Sequence, residues 1–190
     1  MLYLFFDTET TGLPKNWKAP VSKLDNWPRL VQLAYELYDH KGARLIAGNR
    51  LIRPEDFIIP AKASSIHGIS HERALGEGES LECVLNDFSS LIAKSDLLVA
   101  HNMSFDEKII GAEFLRNGQM DYTRKKAKLC TMQSTTDFCA IAGYYGYKWP
   151  TLQELHTKLF GRGFPEAHDA SVDVRITVKC FFELKRLGKI

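Results

Sequence analysis

Apolar and polar positions change period several times along the chain, and each change marks an element. Leu2-Tyr3-Leu4-Phe5-Phe6 is a short continuous apolar run, as in a buried strand. Alternation through Val31, Leu33, Tyr35 and Leu37 predicts a second strand over 30–38. Asp39-His40-Lys41-Gly42 is a hairpin-turn signal, and a third strand is expected over 43–52. A loop from Pro54 to Pro60 leads to two short helices over 61–66 and 70–75. Ser80 is a fitting cap for a helix over 81–94, with Leu85, Phe88, Leu91 and Ile92 inward. Leu97 to Ala100 reads as a fourth strand. The helix after it runs through Ile109, Ile110, Phe114 and Leu115 and stops near Asn117-Gly118. A fifth strand is expected over 128–131, a helix over 132–142, and a Thr151-capped helix over 152–160. The last helix begins near Asp169 and carries Val174, Ile176, Thr177, Cys180, Phe181 and Leu184. An antiparallel triplet followed by strand–helix units places the chain in the α/β class.

Composition narrows this picture. A chain of 190 residues is expected to form one domain over 1–190 with a sizeable core. The net charge is only +2, so there is no strongly basic field of the kind that grips long duplex nucleic acid. Cys83, Cys130, Cys139 and Cys180 form no C-x-x-C pair, which fits neither a zinc site nor a disulfide scaffold. They read as reduced thiols of a cytoplasmic protein. No signal peptide or membrane-length apolar run is visible, and no membrane partner is expected. With the first strand following Met1 almost at once, no targeting extension is expected.

The candidate chemistry lies at three places. Asp7 and Glu9 directly follow the first apolar run, and residues two apart in a strand share a face. Both carboxylates can therefore point at one place, although Asp-x-Glu alone is equally the polar end of a strand. Asp106 follows the fourth strand in His101-Asn102-Met103-Ser104-Phe105-Asp106. Strand tips that feed helices hold ligands in α/β folds, but a first-turn carboxylate also suits the helix dipole. His101 and Asn102 read as groups that bond loop backbone. In His168-Asp169-Ala170-Ser171-Val172-Asp173, Asp169 is the expected cap. His168 falls in the loop before the helix, and Asp173 on its first or second turn. Carboxylate oxygens suit hard cations such as Mg²⁺ and Mn²⁺. Two such ions about 3.5–4 Å apart stabilise the attacking and leaving oxygens of a phosphodiester displacement.

Taken together, Asp-x-Glu, His-Asn-x-x-Phe-Asp and His-Asp-Ala-x-x-Asp resemble the three motifs of the DEDD exonuclease superfamily. The histidine five residues before the last aspartate resembles the DEDDh branch, and no tyrosine occupies that region. The resemblance spans Leu2 to about Leu187, and the chain is similar to the proofreading (epsilon) subunits of bacterial replicative polymerases and their stand-alone relatives. It also covers Arg29-Leu30-Val31-Gln32-Leu33-Ala34 and Ile66-His67-Gly68-Ile69-Ser70. It implies a ribonuclease-H-like fold with a five-stranded mixed sheet flanked by helices, and hydrolysis in the 3′→5′ direction with two Mg²⁺ or Mn²⁺ ions per site. Asp7, Glu9 and Asp173 would hold one ion, and Asp7 with Asp106 the other. His168 would serve as the base. Thr8, Thr10, Ile66, His67 and Phe105 would meet the terminal nucleotide, with a structural role for His67 equally open.

Three questions stay open at this level. Single-stranded DNA 3′ ends are the leading substrate, with RNA trimming or recycling as the alternative. A DNA polymerase or repair complex is the implied partner class, and a non-catalytic polymerase-associated module is disfavoured by the complete carboxylate set. The ending at Gly188-Lys189-Ile190 is expected to leave no long polymerase-docking tail. The loop 14–28 interleaves Trp17 and Trp27 with Lys15, Lys18 and Lys23, which fits stacking on a single strand, although Trp27 is expected to pack on the body. The aromatics of 142–150 fit either a stacking platform or helix-to-helix packing.

Overall fold

The computed structural model describes residues 1–165 and 169–190. Its centre is a five-stranded mixed sheet. The strands are β1 (Leu2–Thr10), β2 (Leu30–Asp39), β3 (Arg44–Leu51), β4 (Leu97–Ala100) and β5 (Ala127–Cys130), in the order β3-β2-β1-β4-β5. The first three are antiparallel, while β1–β4 and β4–β5 are parallel. This is the ribonuclease-H-like arrangement that the motifs imply.

Strand β1 is central and apolar on both faces. Its even positions, Leu4 and Phe6, join a core with α3 (Leu81–Lys94) and α4 (Met103–Arg116) through Phe88, Ile110 and Phe114. Its odd positions, Tyr3 and Phe5, meet α8 (Ala170–Arg186) through Ala170, Val174, Val178 and Phe181. Phe5, Phe6, Phe88, Phe114 and Phe181 are all fully buried, each a gain of about 1.5–3 kcal/mol over exposure. Two smaller helices, α1 (Ala61–His67) and α2 (His71–Glu77), cover Val31 of β2.

Local capping chemistry sets several boundaries. The hydroxyl of Ser80 accepts from the Cys83 N–H at the start of α3. Thr151 and Glu154 form a reciprocal capping box at α7 (Leu152–Phe160). Asp169 accepts from the Ser171 N–H at 2.8 Å and caps α8. Long-range charge then ties the layers together. The fully buried Glu113 of α4 accepts from Arg29 Nε at 3.0 Å and from the Leu30 N–H at 2.9 Å, with Arg116 3.0 Å away.

Three expectations need correction. The first strand does not stop at Phe6 but stays paired through Thr10, with a bulge between Glu9 and Thr10. The helix expected over 132–142 is two single turns, α5 (Thr131–Ser134) and α6 (Thr136–Cys139). Here hydroxyls compete for backbone carbonyls: Thr135 Oγ1 donates to Thr131 O at 2.7 Å and Thr136 Oγ1 to Gln133 O at 3.0 Å. Finally, the loop at 142–150 contains a hairpin, β6 (Ala142–Gly143) and β7 (Gly146–Tyr147).

The 14–28 loop is ordered. Asn26 accepts from the Asn16 N–H at 2.8 Å and donates to Asn16 O at 3.0 Å. Trp27 is buried and its indole donates to Pro20 O, so it packs the loop onto the body. Trp17 is half exposed, its ring 5.7 Å from that of Phe105.

Candidate active site

The last turn of β1 carries the acidic pair. Asp7 and Glu9 continue the odd face of the strand and so point toward α8, whose first turns present Asp173. Oxygens of Asp7, Glu9 and Asp173 lie within 4.8 Å of one another. Asp106 arrives from the other layer, on the first turn of α4, and is buried. It is fixed to the even face of β1 by Thr8, whose hydroxyl donates at 2.7 Å and whose N–H donates at 3.1 Å. Two helices on opposite faces of the sheet thus bring carboxylates to one strand end.

Asp7 has Asp106, Asp173, Glu9 and Asp169 as charged neighbours. Burial, then the like charges of these carboxylates, holds the Asp7 carboxyl well above the usual range. Burial, then the like charges of Asp173, Asp106 and Asp169, push Glu9 up to about 8. Asp106 is raised to about 7 by burial, against the opposing pull of its Thr8 hydrogen bonds. Asp169 differs: although burial raises it, its bonds from Ser171 leave it below the ordinary value. Among the described residues no lysine or arginine forms an ion pair with Asp7, Glu9 or Asp106. An anionic, all-oxygen donor set of this kind fits a hard divalent cation.

The metal-free site therefore carries a pH-dependent cost. Folded Glu9 and Asp106 hold protons more tightly than the unfolded chain, where they titrate near 4.5 and 3.8. Their contribution to stability is complete below those values and is lost as pH rises through about 7 to about 8. Calorimetry in chelator should show the site lowering the melting temperature between about pH 5 and pH 8. Added Mn²⁺ should recover the loss, and Glu9→Gln should flatten the slope.

The other expected site residues have different surroundings. Thr8 commits both its donors to Asp106, which the sequence alone does not signal. Thr8→Val removes one of them and should lower metal affinity or turnover about 10- to 100-fold with the fold intact, checked by Mn²⁺ titration. The Thr10 hydroxyl donates to Gly12 O at 2.7 Å and shapes the turn after the strand. His67 is buried at the end of α1, its Nδ1 accepting from the Ile69 N–H at 3.1 Å. Its Nε2 faces the Thr10 backbone without full hydrogen-bond geometry, and burial lowers its pKa. Ile66 is half exposed, and Phe105 sits one residue before Asp106 against Trp17. His168 lies outside the described residues.

His101 and Asn102 shape the backbone beneath the site. Nε2 of His101 lies 3.1 Å from Pro150 O and Nδ1 lies 3.0 Å from Thr131 Oγ1. A carbonyl only accepts, so Nε2 carries the proton and Nδ1 takes the Thr131 hydroxyl. Burial lowers the ring to about 4, which keeps it neutral. Asn102 adopts φ 75° at the head of α4, a left-handed turn that asparagine tolerates better than most residues.

Comparison with known proteins agrees with this geometry. Across the sheet and both carboxylate-bearing helices, residues 4–181 match the model of the RNase T exonuclease family. The DNA polymerase III epsilon subunit of Treponema pallidum (strain Nichols) is 31% identical over 176 residues, covering 93% of this chain and 73% of its own. An exonuclease of Escherichia phage 186 is 26% identical over 192 residues, covering 97% of this chain and 89% of its own. Escherichia coli Exonuclease I, solved with a dA16 oligonucleotide, superposes with a TM-score of 0.77 at 22% identity. That overlap takes in 97% of this chain but only 41% of Exonuclease I, and at such identity it speaks for the fold. Since the family match embraces the strand that bears Asp7 and Glu9 and the helices that bear Asp106 and Asp173, the chain belongs to the RNase T exonuclease family of the DEDD superfamily of 3′→5′ exonucleases.

Proposed function

We propose that this protein is a metal-dependent 3′→5′ exonuclease of the DEDDh branch that releases nucleoside 5′-monophosphates from single-stranded DNA ends. The convergence of Asp7, Glu9 and Asp173 within 4.8 Å, beside a buried Asp106, carries this reading. Asp7, Glu9 and Asp173 would hold one divalent ion, and Asp7 with Asp106 a second. When bound, such ions stabilise charge on the attacking and leaving oxygens and acidify water.

The protein's own groups do the rest. Thr8 locks Asp106, and the Asp169 cap sets the turn on which Asp173 stands. His168, five residues before Asp173, accepts the proton of the attacking water, and the 3′-oxygen leaves in line. Thr10, Ile66, His67 and Phe105 surround the terminal nucleotide. A net charge of +2 is compatible with a short single-stranded end held by metals and stacking, and does not by itself point to one.

A 5′-labelled oligonucleotide with Mg²⁺ or Mn²⁺ should give a descending ladder and 5′-monophosphates, and chelator should stop it. A closed single-stranded circle should resist. Efficient cutting of the circle would show an endonuclease instead, and preference for a matched RNA would move the substrate to RNA.

A further inference from the structure

The segment 138–153 holds sixteen residues with one cation, Lys148, and no carboxylate. Three of the chain's seven tyrosines and one of its three tryptophans fall within it. Here β6 and β7 form a narrow hairpin, with Ala142 opposite Tyr147 and the Lys148 N–H donating to Ile141 O at 2.9 Å. Glycine is required at both ends of its turn. Gly146 sits at φ +123°, and a Cβ on Gly143 would lie 2.9 Å from Gly146 O. The arms are braced below by the Lys148–Glu154 ion pair at 2.6 Å and the Thr151 capping box.

This scaffold holds its rings in solvent. Tyr144, Tyr145, Tyr147 and Trp149 are 91%, 97%, 56% and 59% exposed. That degree of exposure leaves Tyr144 and Tyr145 with almost no packing on the body, and leaves more than half of Tyr147 and Trp149 open to solvent. Tyr147 and Trp149 are two apart on one arm and share a side.

The hairpin is rooted on the strand beside the one that carries Asp7 and Glu9. His101, which holds Pro150 O, directly follows β4. In the parallel β1–β4 pair Phe5, two residues before Asp7, stands opposite Val99, two residues before His101. From Pro150 to Tyr145 is five residues, a reach of at most about 17 Å. A platform of this length is anchored just past the end of β4, the strand that pairs with the carboxylate-bearing β1.

We propose that this hairpin is a stacking platform for the bases of a single strand whose 3′ end enters the carboxylate site. This rests on the exonuclease reading. Aromatic rings accept any base face, and a segment free of carboxylates does not repel the phosphates between them.

The test pairs Tyr145→Ala/Tyr147→Ala with Tyr145→Phe/Tyr147→Phe in the full chain. Fluorescence anisotropy of a labelled single strand of about 12 nucleotides is measured in chelator, so hydrolysis does not interfere. The alanine variant should bind about 10- to 100-fold more weakly and the phenylalanine variant within about twofold of wild type. Turnover of the p-nitrophenyl ester of thymidine 5′-monophosphate, too short to reach the rings, should be unchanged in both. Wild-type binding by the alanine variant would overturn the platform and leave the patch to a protein partner. Equal loss in the phenylalanine variant, or loss of ester turnover in step with binding, would also overturn it. If the wild type hydrolyses neither substrate while the alanine variant still binds more weakly, the exonuclease reading fails and the platform stands.

Discussion

Asp7→Asn should abolish hydrolysis while making the metal-free protein more stable. Asp7 is the carboxylate on which the others converge, with Asp106, Asp173 and Glu9 all acting on it. The amide keeps the shape of the side chain but removes the anionic oxygens that both ions would use. Turnover should fall at least about 10³-fold, more than the usual cost of one preorganised electrostatic donor. Stability should move the other way. In chelator near pH 8 the variant is spared the cost that burial and like charges place on the Asp7 carboxyl, whether as a repelled charge or as a proton taken up on folding, and should melt above the wild type. Added Mn²⁺ should raise the melting temperature of the wild type and barely move the variant. Turnover within tenfold of wild type in a folded variant would remove Asp7 from the metal site.

His168→Ala should reduce turnover about 10²- to 10⁴-fold, the range for general acid–base catalysis. Mn²⁺ affinity should change little, because the ions are assigned to Asp7, Glu9, Asp106 and Asp173 and none to the imidazole. A histidine base loses its lone pair below its pKa, ordinarily about 6.5, so the acid limb of the pH–rate profile should flatten in the variant. Calorimetric Mn²⁺ titration run beside the rate profile is the direct measurement. Metal affinity falling in step with rate would make His168 a ligand, and unchanged turnover would exclude it from the mechanism.

Local chemistry made much of this legible before any coordinates. The two-residue period of a strand puts Asp7 and Glu9 on one face, and the structure has them side by side. Ser80, Thr151 and Asp169 are N-cap residue types just before periodic apolar stretches, and all three cap helices. The fourth strand and the helix over 81–94 have the expected limits. The expected helix over 132–142 failed because periodicity reports an apolar face and is blind to hydroxyls that take backbone carbonyls, as Thr135 and Thr136 do.

The amino-acid sequence alone thus determined the fold class, the order of the acidic motifs and the face shared by Asp7 and Glu9. Tertiary structure alone decided which distant groups complete them. Thr8 and Asp106 are separated by 98 residues, and Arg29 and Glu113 by 84. His101 meets Pro150 across 49 residues, which roots the aromatic hairpin just past the end of β4. Nothing in a local period encodes such pairings. They arise because the two faces of β1 are packed by different helices, α4 on one side and α8 on the other, and packing both cores at once leaves one position for each helix start.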